Sequence, residues 1–286
     1  MTIPTNLGEF PPVAPSPIPH RRLDKTCREL TRDEIHKIIE SFGKGAFNAK
    51  RAGFDGVEIH AVHEGYLIDQ FAIAFFNHRT DEYGGSLENR LRFAKEIREE
   101  IAKTCGWDFT VAVRFSPKSM LKDWRKGALP NEEFEEKGRD LEEGLQTAKL
   151  LEAYGYDALD VDVGCYDAWW WNHPPMYMEK GPYRKYAKLV KEIVKVPVFM
   201  AGRMDTPEMA ESCVKDGTCD VISLGRPLLA DPDYVKKLRT NHVCEIRPCI
   251  SCQEGCMGRI QTYSMINCAV NPQAAREHVT AYEPVA

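Results

Sequence analysis

The stretch FDGVEIHA, residues 54–61, alternates apolar Val57 and Ile59 with polar Glu58 and His60, which is the period of a β-strand. A helix precedes it. Thr31 is a good N-cap, Glu34 completes a T-x-x-E capping box, IHKIIESFGKGAFNAKRAG follows, and Gly53 stops the run. Downstream, Ser86 caps a second helix, LENRLRFAKEIREEIAK, and FTVAVRFS reads as the next strand. The unit then recurs: DLEEGLQTAKLLEAYG leads into DALDVDVG, RKYAKLVKEIVK into VPVFMAG, and TPEMAESCVKDG into DVISLGR. Five strands near residues 57, 111, 159, 198 and 221, each separated by a helix, predict an α/β fold with a parallel sheet. The doubly wound fold and the (β/α)8 TIM barrel are its two usual forms. No G-x-G-x-x-G follows any strand, whereas polar residues gather just after the strand ends, as on the active face of a barrel.

The bulk numbers are those of an ordinary globular chain: 286 residues, 43% hydrophobic and 28% charged. A net charge of −5 gives no reason to expect nucleic acid or an anionic membrane as partner. There is no run of eighteen apolar residues and no basic-then-apolar leader, so a cytoplasmic location is expected. Six prolines in the first nineteen residues predict an extended, irregular lead-in. Nothing decides the oligomeric state, and a homo-oligomer stays open.

Three groups of residues carry chemistry. His60 and His63, three apart with Tyr66 close behind, could bind a metal, donate to a carbonyl, or sit satisfied in a core; Glu64 is the one nearby carboxylate. In CYDAWWWNHPPMY, Trp169 and Trp170 either pack or wall a pocket for a flat apolar substrate, with Tyr166 and His173 as further acid candidates. Near the end, Cys249, Cys252, Cys256 and Cys268 read C-x2-C-x3-C-x11-C. Structural zinc favours two separated pairs, and disulfides do not suit a reducing compartment. Three close thiolates with a distant fourth suit a 4Fe-4S cluster better. The other six cysteines read as small buried or surface thiols.

From Ala52 to Phe93 the chain resembles the old yellow enzyme (NADH:flavin oxidoreductase) family, in AGFDGVEIHAVHEGYLIDQF and then NHRTDEYGGSLENR. The resemblance implies that the five units are strands four to eight of an FMN-binding barrel. Arg114 in VRFS would face the flavin pyrimidine. Gly202 and Arg203 in AGRM, and Gly225 and Arg226 in LGRPLLADP, would be the phosphate-binding turns. The cysteine segment and the following CAVNPQAARE resemble the iron–sulfur branch, which includes 2,4-dienoyl-CoA reductase, enoate reductase, trimethylamine dehydrogenase and the bile-acid-inducible 3-oxo-4-ene steroid reductases. The histidine loop is closest to the last of these, although Glu64 displaces Tyr66 by one position.

By that resemblance the protein is an NAD(P)H-dependent ene-reductase acting on a C=C bond conjugated to a carbonyl. His60 and His63 would hold the carbonyl oxygen, Tyr66 would be the general acid, and the cluster would relay single electrons to FMN. The implied layout is a lead-in over 1–30, a partial barrel over 31–243 and a cluster segment over 244–286. The family's first three strands would precede residue 1. FAD- and NAD(P)-binding domains would follow in a longer parent polypeptide. Two other readings stand beside it: amine oxidation of the trimethylamine dehydrogenase type, and a non-catalytic zinc-binding β/α protein.

Overall fold

A computed structural model describes residues 11–21, 23–63 and 66–279. Residues 1–10 of the expected lead-in, Glu64 of the histidine loop, and residues 280–286 of the expected cluster segment lie outside the described residues. Helix α1 (Arg32–Arg51) begins as the capping box dictates: Thr31 Oγ1 accepts from the Glu34 N–H at 3.3 Å, and the Glu34 carboxylate accepts from the Thr31 N–H at 2.9 Å. Ile35, Ile39, Gly43 and Ala46 form its buried stripe. At Gly43 a Cβ would stand 2.8 Å from Glu100 Cγ, so the glycine is what lets α1 lie close against α2 (Arg92–Cys105). Gly53, at φ 89°, then turns the chain out of the helix in a conformation that disfavours side chains.

All five expected strands form: β1 (Gly56–His60), β2 (Thr110–Phe115), β3 (Ala158–Val161), β4 (Val198–Met200) and β5 (Val221–Ile222). They are parallel and lie in chain order, with β1 and β5 at the two edges. Between them run α3 (Leu141–Ala153), α4 (Arg184–Lys191) and α5 (Pro207–Lys215). One face of the sheet presents Ile59, Val111, Val113, Phe115, Leu159, Val161, Val198 and Met200, all buried in the core with the helices. At roughly 1.5–3 kcal/mol for each fully buried apolar side chain, this face supplies most of what holds the layers together. The opposite face carries Glu58, His60, Arg114, Asp160 and Phe199. In the ladder His60 stands beside Arg114, and Arg114 beside Asp160. Such a polar face looks inward in a closed barrel.

Three local expectations need correction. The helix expected from residue 87 to 103 breaks at Leu91 into Leu87–Arg90 and α2. The break accompanies an inward turn of Arg90, whose buried guanidinium donates to the Ala72 carbonyl and clasps Glu143 at 2.5 and 3.1 Å. The lead-in is not wholly irregular, because Val13–Ala14 pairs in parallel with Arg28–Glu29. A short hairpin, Leu121–Asp123 with Lys126–Gly127, was not expected at all; strands of three and two residues leave too little periodicity to read.

The segment after β1 is fixed from below. Asp69, in the helix Leu67–Ala72, meets Arg139 at 3.0 Å, both side chains being almost fully buried, and Arg139 also donates to the Ser116 carbonyl at 2.7 Å. Removing one member of such a pair strands a buried charge. Asp69→Ala is therefore expected to lower the unfolding free energy by about 3–5 kcal/mol in urea denaturation. A loss below about 1 kcal/mol would mean that water satisfies Arg139 and that the pair does not hold this segment.

Candidate active site

The strand ends converge on a cluster of rings. His60 is the last residue of β1, and His63 follows in a left-handed conformation (φ 72°) rare for a residue with a side chain. The Tyr66 N–H then donates to the His63 carbonyl at 2.8 Å, closing a turn that folds Tyr66 back over the histidines. Ring centroids stand 5.4 Å apart for His60–His63 and 4.5 Å for His60–Tyr66. From the other side, the turn Tyr166–Ala168 after β3 brings Tyr166 to 4.9 Å from His63, and its hydroxyl donates to the Tyr66 hydroxyl at 3.0 Å. Trp169 stacks on Tyr166 at 5.6 Å and on His173 at 4.1 Å. His60, His63, Tyr66, Tyr166, Trp169 and His173 are thus one constellation. Trp170 is not part of it: its indole N–H, like that of Trp171, is donated to the Ala128 carbonyl and pins the hairpin.

Beneath the rings lies a charged layer. Arg114 donates twice to Asp162 Oδ2, at 2.9 and 2.5 Å, and stands 3.4 Å from Asp160. Burial pushes the Asp162 carboxyl up, but Arg114 and then His63 outweigh it and hold it below the usual carboxylate range. Asp160 has no comparable hold, and burial raises it to about 7. His63 Nε2 is 3.4 Å from Asp162, yet neither ring nitrogen completes a hydrogen bond with any described residue. Buried imidazole nitrogens without partners are rare in folded proteins, and these two have donor and acceptor capacity to spare. Burial, with His63 and Arg114 close by, lowers His60 to about 4, and burial lowers His173 to about 3, so both rings are neutral near pH 7.

Asp160 and Asp162 were not among the expected site residues, although the signal was present. DALDVDVG places two carboxylates on one side at the end of an expected strand, where burial disfavours the charged form unless a cation or hydrogen bonds offset it. Arg21 was also missed. It pairs with Asp167 and lies 5.3 Å over the Tyr166 ring. No sequence pattern connects it with a site a hundred and more residues away.

A cavity of about 270 Å³ opens beside the cluster, with Arg114, His173, Gly202, Arg203, Gly225 and Arg226 among its walls. A Cβ added at Gly225 would meet nothing within 4 Å, so the backbone there is open to a bound group, whereas at Gly202 (φ 93°) it would run into the Tyr183 ring at 2.8 Å. Arg203 is tied through Nη1 to the carbonyls of Pro175 (3.0 Å), Met176 and Met178, and Arg226 through Nη2 to that of Pro174 (3.0 Å). Arg203 Nε and Arg226 Nη1 remain buried without a partner among the described residues. Asp205 also borders the cavity, but Lys180 answers its charge at 3.2 Å. Orphaned guanidinium N–H groups beside open glycine backbone fit an anionic group such as a phosphate.

The four cysteines border a second, smaller cavity of about 20 Å³, together with Arg226, Leu229 and Val270. The distant fourth thiol arrives through one close contact. The Asn267 N–H donates to the Gly255 carbonyl at 2.7 Å, and a Cβ on Gly255 would fall 2.2 Å from Asn267 Oδ1. All four thiols are free and partly buried, and burial raises that of Cys256 against the pull of Arg226. Among the described residues, no three His, Cys, Asp or Glu side chains are close enough to share a single metal ion. Of the other cysteines, five are buried and Cys244 is exposed, as expected. No helix among the described residues is long and apolar enough to cross a membrane.

Residues 11–244 match the family described as NADH:flavin oxidoreductase / NADH oxidase. Among curated relatives, a cinnamate reductase of Clostridium sporogenes is 59% identical over 278 residues, covering 97% of this chain and 42% of that protein. The solved structure of 2-naphthoyl-CoA reductase in complex with 2-naphthoyl-CoA superposes with a TM-score of 0.84 at 31% identity, over 96% of this chain and 39% of that one. Histamine dehydrogenase from Rhizobium sp. 4-9 gives 0.83 at 29% identity, over 94% and 37%. The chain therefore spans about two fifths of the length of these relatives.

The depressed imidazoles set a pH dependence. A histidine whose folded pKa lies below the ordinary 6.5 takes up a proton more readily when unfolded. His60 and His173 therefore contribute stability that is lost as the pH falls from about 6.5 toward 4 and 3 respectively. Asp160, raised to about 7, acts in the opposite sense, and its contribution is lost as the pH rises through that value. Followed by NMR from about pH 7.5 to about pH 5.5, the ring protons of both histidines are expected not to titrate; a midpoint near 6.5 for either would show that its ring is hydrated.

Proposed function

Because the chain belongs to the NADH:flavin oxidoreductase / NADH oxidase family, we propose that it is the substrate-reducing part of an ene-reductase acting on a C=C bond conjugated to a carbonyl. The observation that carries this is the gathering of His60, His63 and Tyr66 at the end of β1, with Tyr166 donating to Tyr66. Two imidazole N–H groups side by side suit a carbonyl oxygen and the negative charge that grows on it as the β-carbon is reduced. Asp162 stands 3.4 Å from His63 Nε2, a carboxylate close beneath the ring. A phenol keeps its proton at neutral pH, and Tyr66 is the general acid that delivers it to the α-carbon. With Tyr166 as the donor of the hydrogen bond between the two hydroxyls, the Tyr66 proton can point at substrate.

FMN fits the larger cavity: Gly202, Arg203, Gly225 and Arg226 would hold its phosphate, and Arg114 would face its pyrimidine edge. The four cysteines fit a 4Fe-4S cluster, in which each iron takes one thiolate. Thiols that ring one cavity without converging on a point are better spaced for that than for a single tetrahedral zinc. When bound, the flavin supplies a hydride and the cluster single electrons from NAD(P)H. The residues themselves hold the carbonyl, exclude water and move the proton. In this reading 31–243 is the partial FMN-binding barrel and 244–286 the cluster segment, with FAD and NAD(P)H sites in the rest of a longer protein.

Trp169, Tyr166 and His173 form a flat aromatic wall, which suits a planar conjugated substrate. The cinnamate reductase relative supports an aromatic enoate ahead of a steroid or an enoyl-CoA. Histamine dehydrogenase, on the same fold, raises amine oxidation as a second reading. Neutral His60 beside Tyr66 offers a donor to an oxyanion, and among the described residues the carboxylate next to the rings, Asp162, is already paired with Arg114 and so is not free for an ammonium group, which favours the carbonyl substrate.

Under anaerobic conditions the dithionite-reduced protein is expected to reduce cinnamate, and the oxidised protein to leave histamine unchanged. Tyr66→Phe is expected to lower turnover by about 10²–10⁴-fold, and His63→Ala by about 10²–10³-fold, with flavin content unchanged in both. Amine turnover without enoate turnover would replace this reading with the second; a protein with one zinc and no flavin would remove both.

A further inference from the structure

The partition between the two cavities has a narrow composition. Arg226 and Cys249 are the residues that border both. Arg226 is fixed in that wall by the bond from Nη2 to the Pro174 carbonyl, while Nη1 is buried with no partner among the described residues. A guanidinium cannot shed its charge, and in a buried wall that charge is little screened. One cation therefore faces two separate places where negative charge is expected. Its neighbour Arg203 borders the larger cavity alone, and its Nη1 is bound to the carbonyls of residues 175, 176 and 178.

We propose that Arg226 couples the two cavities, so that an anion seated in the larger one lowers the reduction potential of the cluster held by Cys249, Cys252, Cys256 and Cys268. This rests on the reading of those cysteines as cluster ligands. Reducing the cluster adds one electron, with no bond made or broken, and the positive charge of Arg226 favours that added negative charge. A phosphate group across the wall neutralises the arginine and withdraws the help. The coupling is reciprocal: reduction of the cluster loosens the anion by the same factor by which the anion disfavours reduction. Electron arrival and the grip on a phosphate-bearing cofactor are thereby linked chiefly through the side chain that borders both cavities.

The test is a dithionite titration of anaerobically purified protein, with the reduced cluster followed by electron paramagnetic resonance and iron counted on each sample. Flavin is removed, and inorganic phosphate is added or withheld. In the unaltered protein, phosphate is expected to shift the one-electron reduction equilibrium about tenfold toward the oxidised cluster, close to 59 mV. Arg226→Gln is expected to lie at the lower potential already and to ignore phosphate; Arg226→Lys should restore much of the response. Arg203→Gln should weaken phosphate binding and shift the phosphate-free potential less than Arg226→Gln does, because Arg203 borders only the larger cavity. An Arg226→Gln protein with four irons, an unchanged potential and an unchanged phosphate response would overturn the coupling alone. Absence of iron from the unaltered protein would overturn the cluster reading and the coupling with it.

Discussion

The contact between Arg114 and Asp162 is the constraint on which the site depends. Both groups sit at the end of the central strands, where hydrophobic packing on the helix-covered face has already taken the backbone out of water. A lone buried carboxylate there would take up a proton, as the raised pKa of Asp160 illustrates two residues earlier. Arg114 keeps Asp162 ionised, and an ionised Asp162 gives His63 a fixed neighbour at 3.4 Å. His63 in turn closes the turn that carries Tyr66. Positions along this line follow from one ion pair, which makes the ring cluster dependent on β2 and β3 as much as on the loop that bears it.

Much of the architecture was legible because it rests on local periodicity. The capping box at Thr31 and Glu34, the alternation in FDGVEIHA and the run of five β/α units are each set by residues near in sequence, and the sheet reproduces them in order. Legibility failed where distant partners decide the outcome. The break at Leu91 belongs with the reach of Arg90 toward Ala72 and Glu143, and neither partner is visible from the helix pattern. The hairpin at 121–127 is likewise held from outside, by two indoles on one carbonyl.

The site divides the same way. Histidine spacing and the tyrosine behind it identified the ring cluster at β1, and the strand-end glycines and arginines identified the larger cavity. The three adjacent tryptophans could not be assigned individually from sequence. A short helix sends neighbouring side chains in different directions, so Trp169 reaches the rings while Trp170 and Trp171 serve the hairpin. Arg21 shows the limit most plainly: a residue from the lead-in lies over Tyr166 through a tertiary contact that no pattern in PHRRLD announces.

The close approach of Gly255 to Asn267 bears on the order in which the four cysteines can come together. Cys249, Cys252 and Cys256 lie within one short stretch and can meet as soon as that stretch is made, whereas Cys268 is delivered by the return of the chain across a glycine with no room for a side chain. If those cysteines hold a cluster, the fourth thiol would be the last to arrive during its assembly and the first to leave when the loop loosens. An iron bound at that corner would be the exchangeable one, and the loop's own folding would set the pace of its loss.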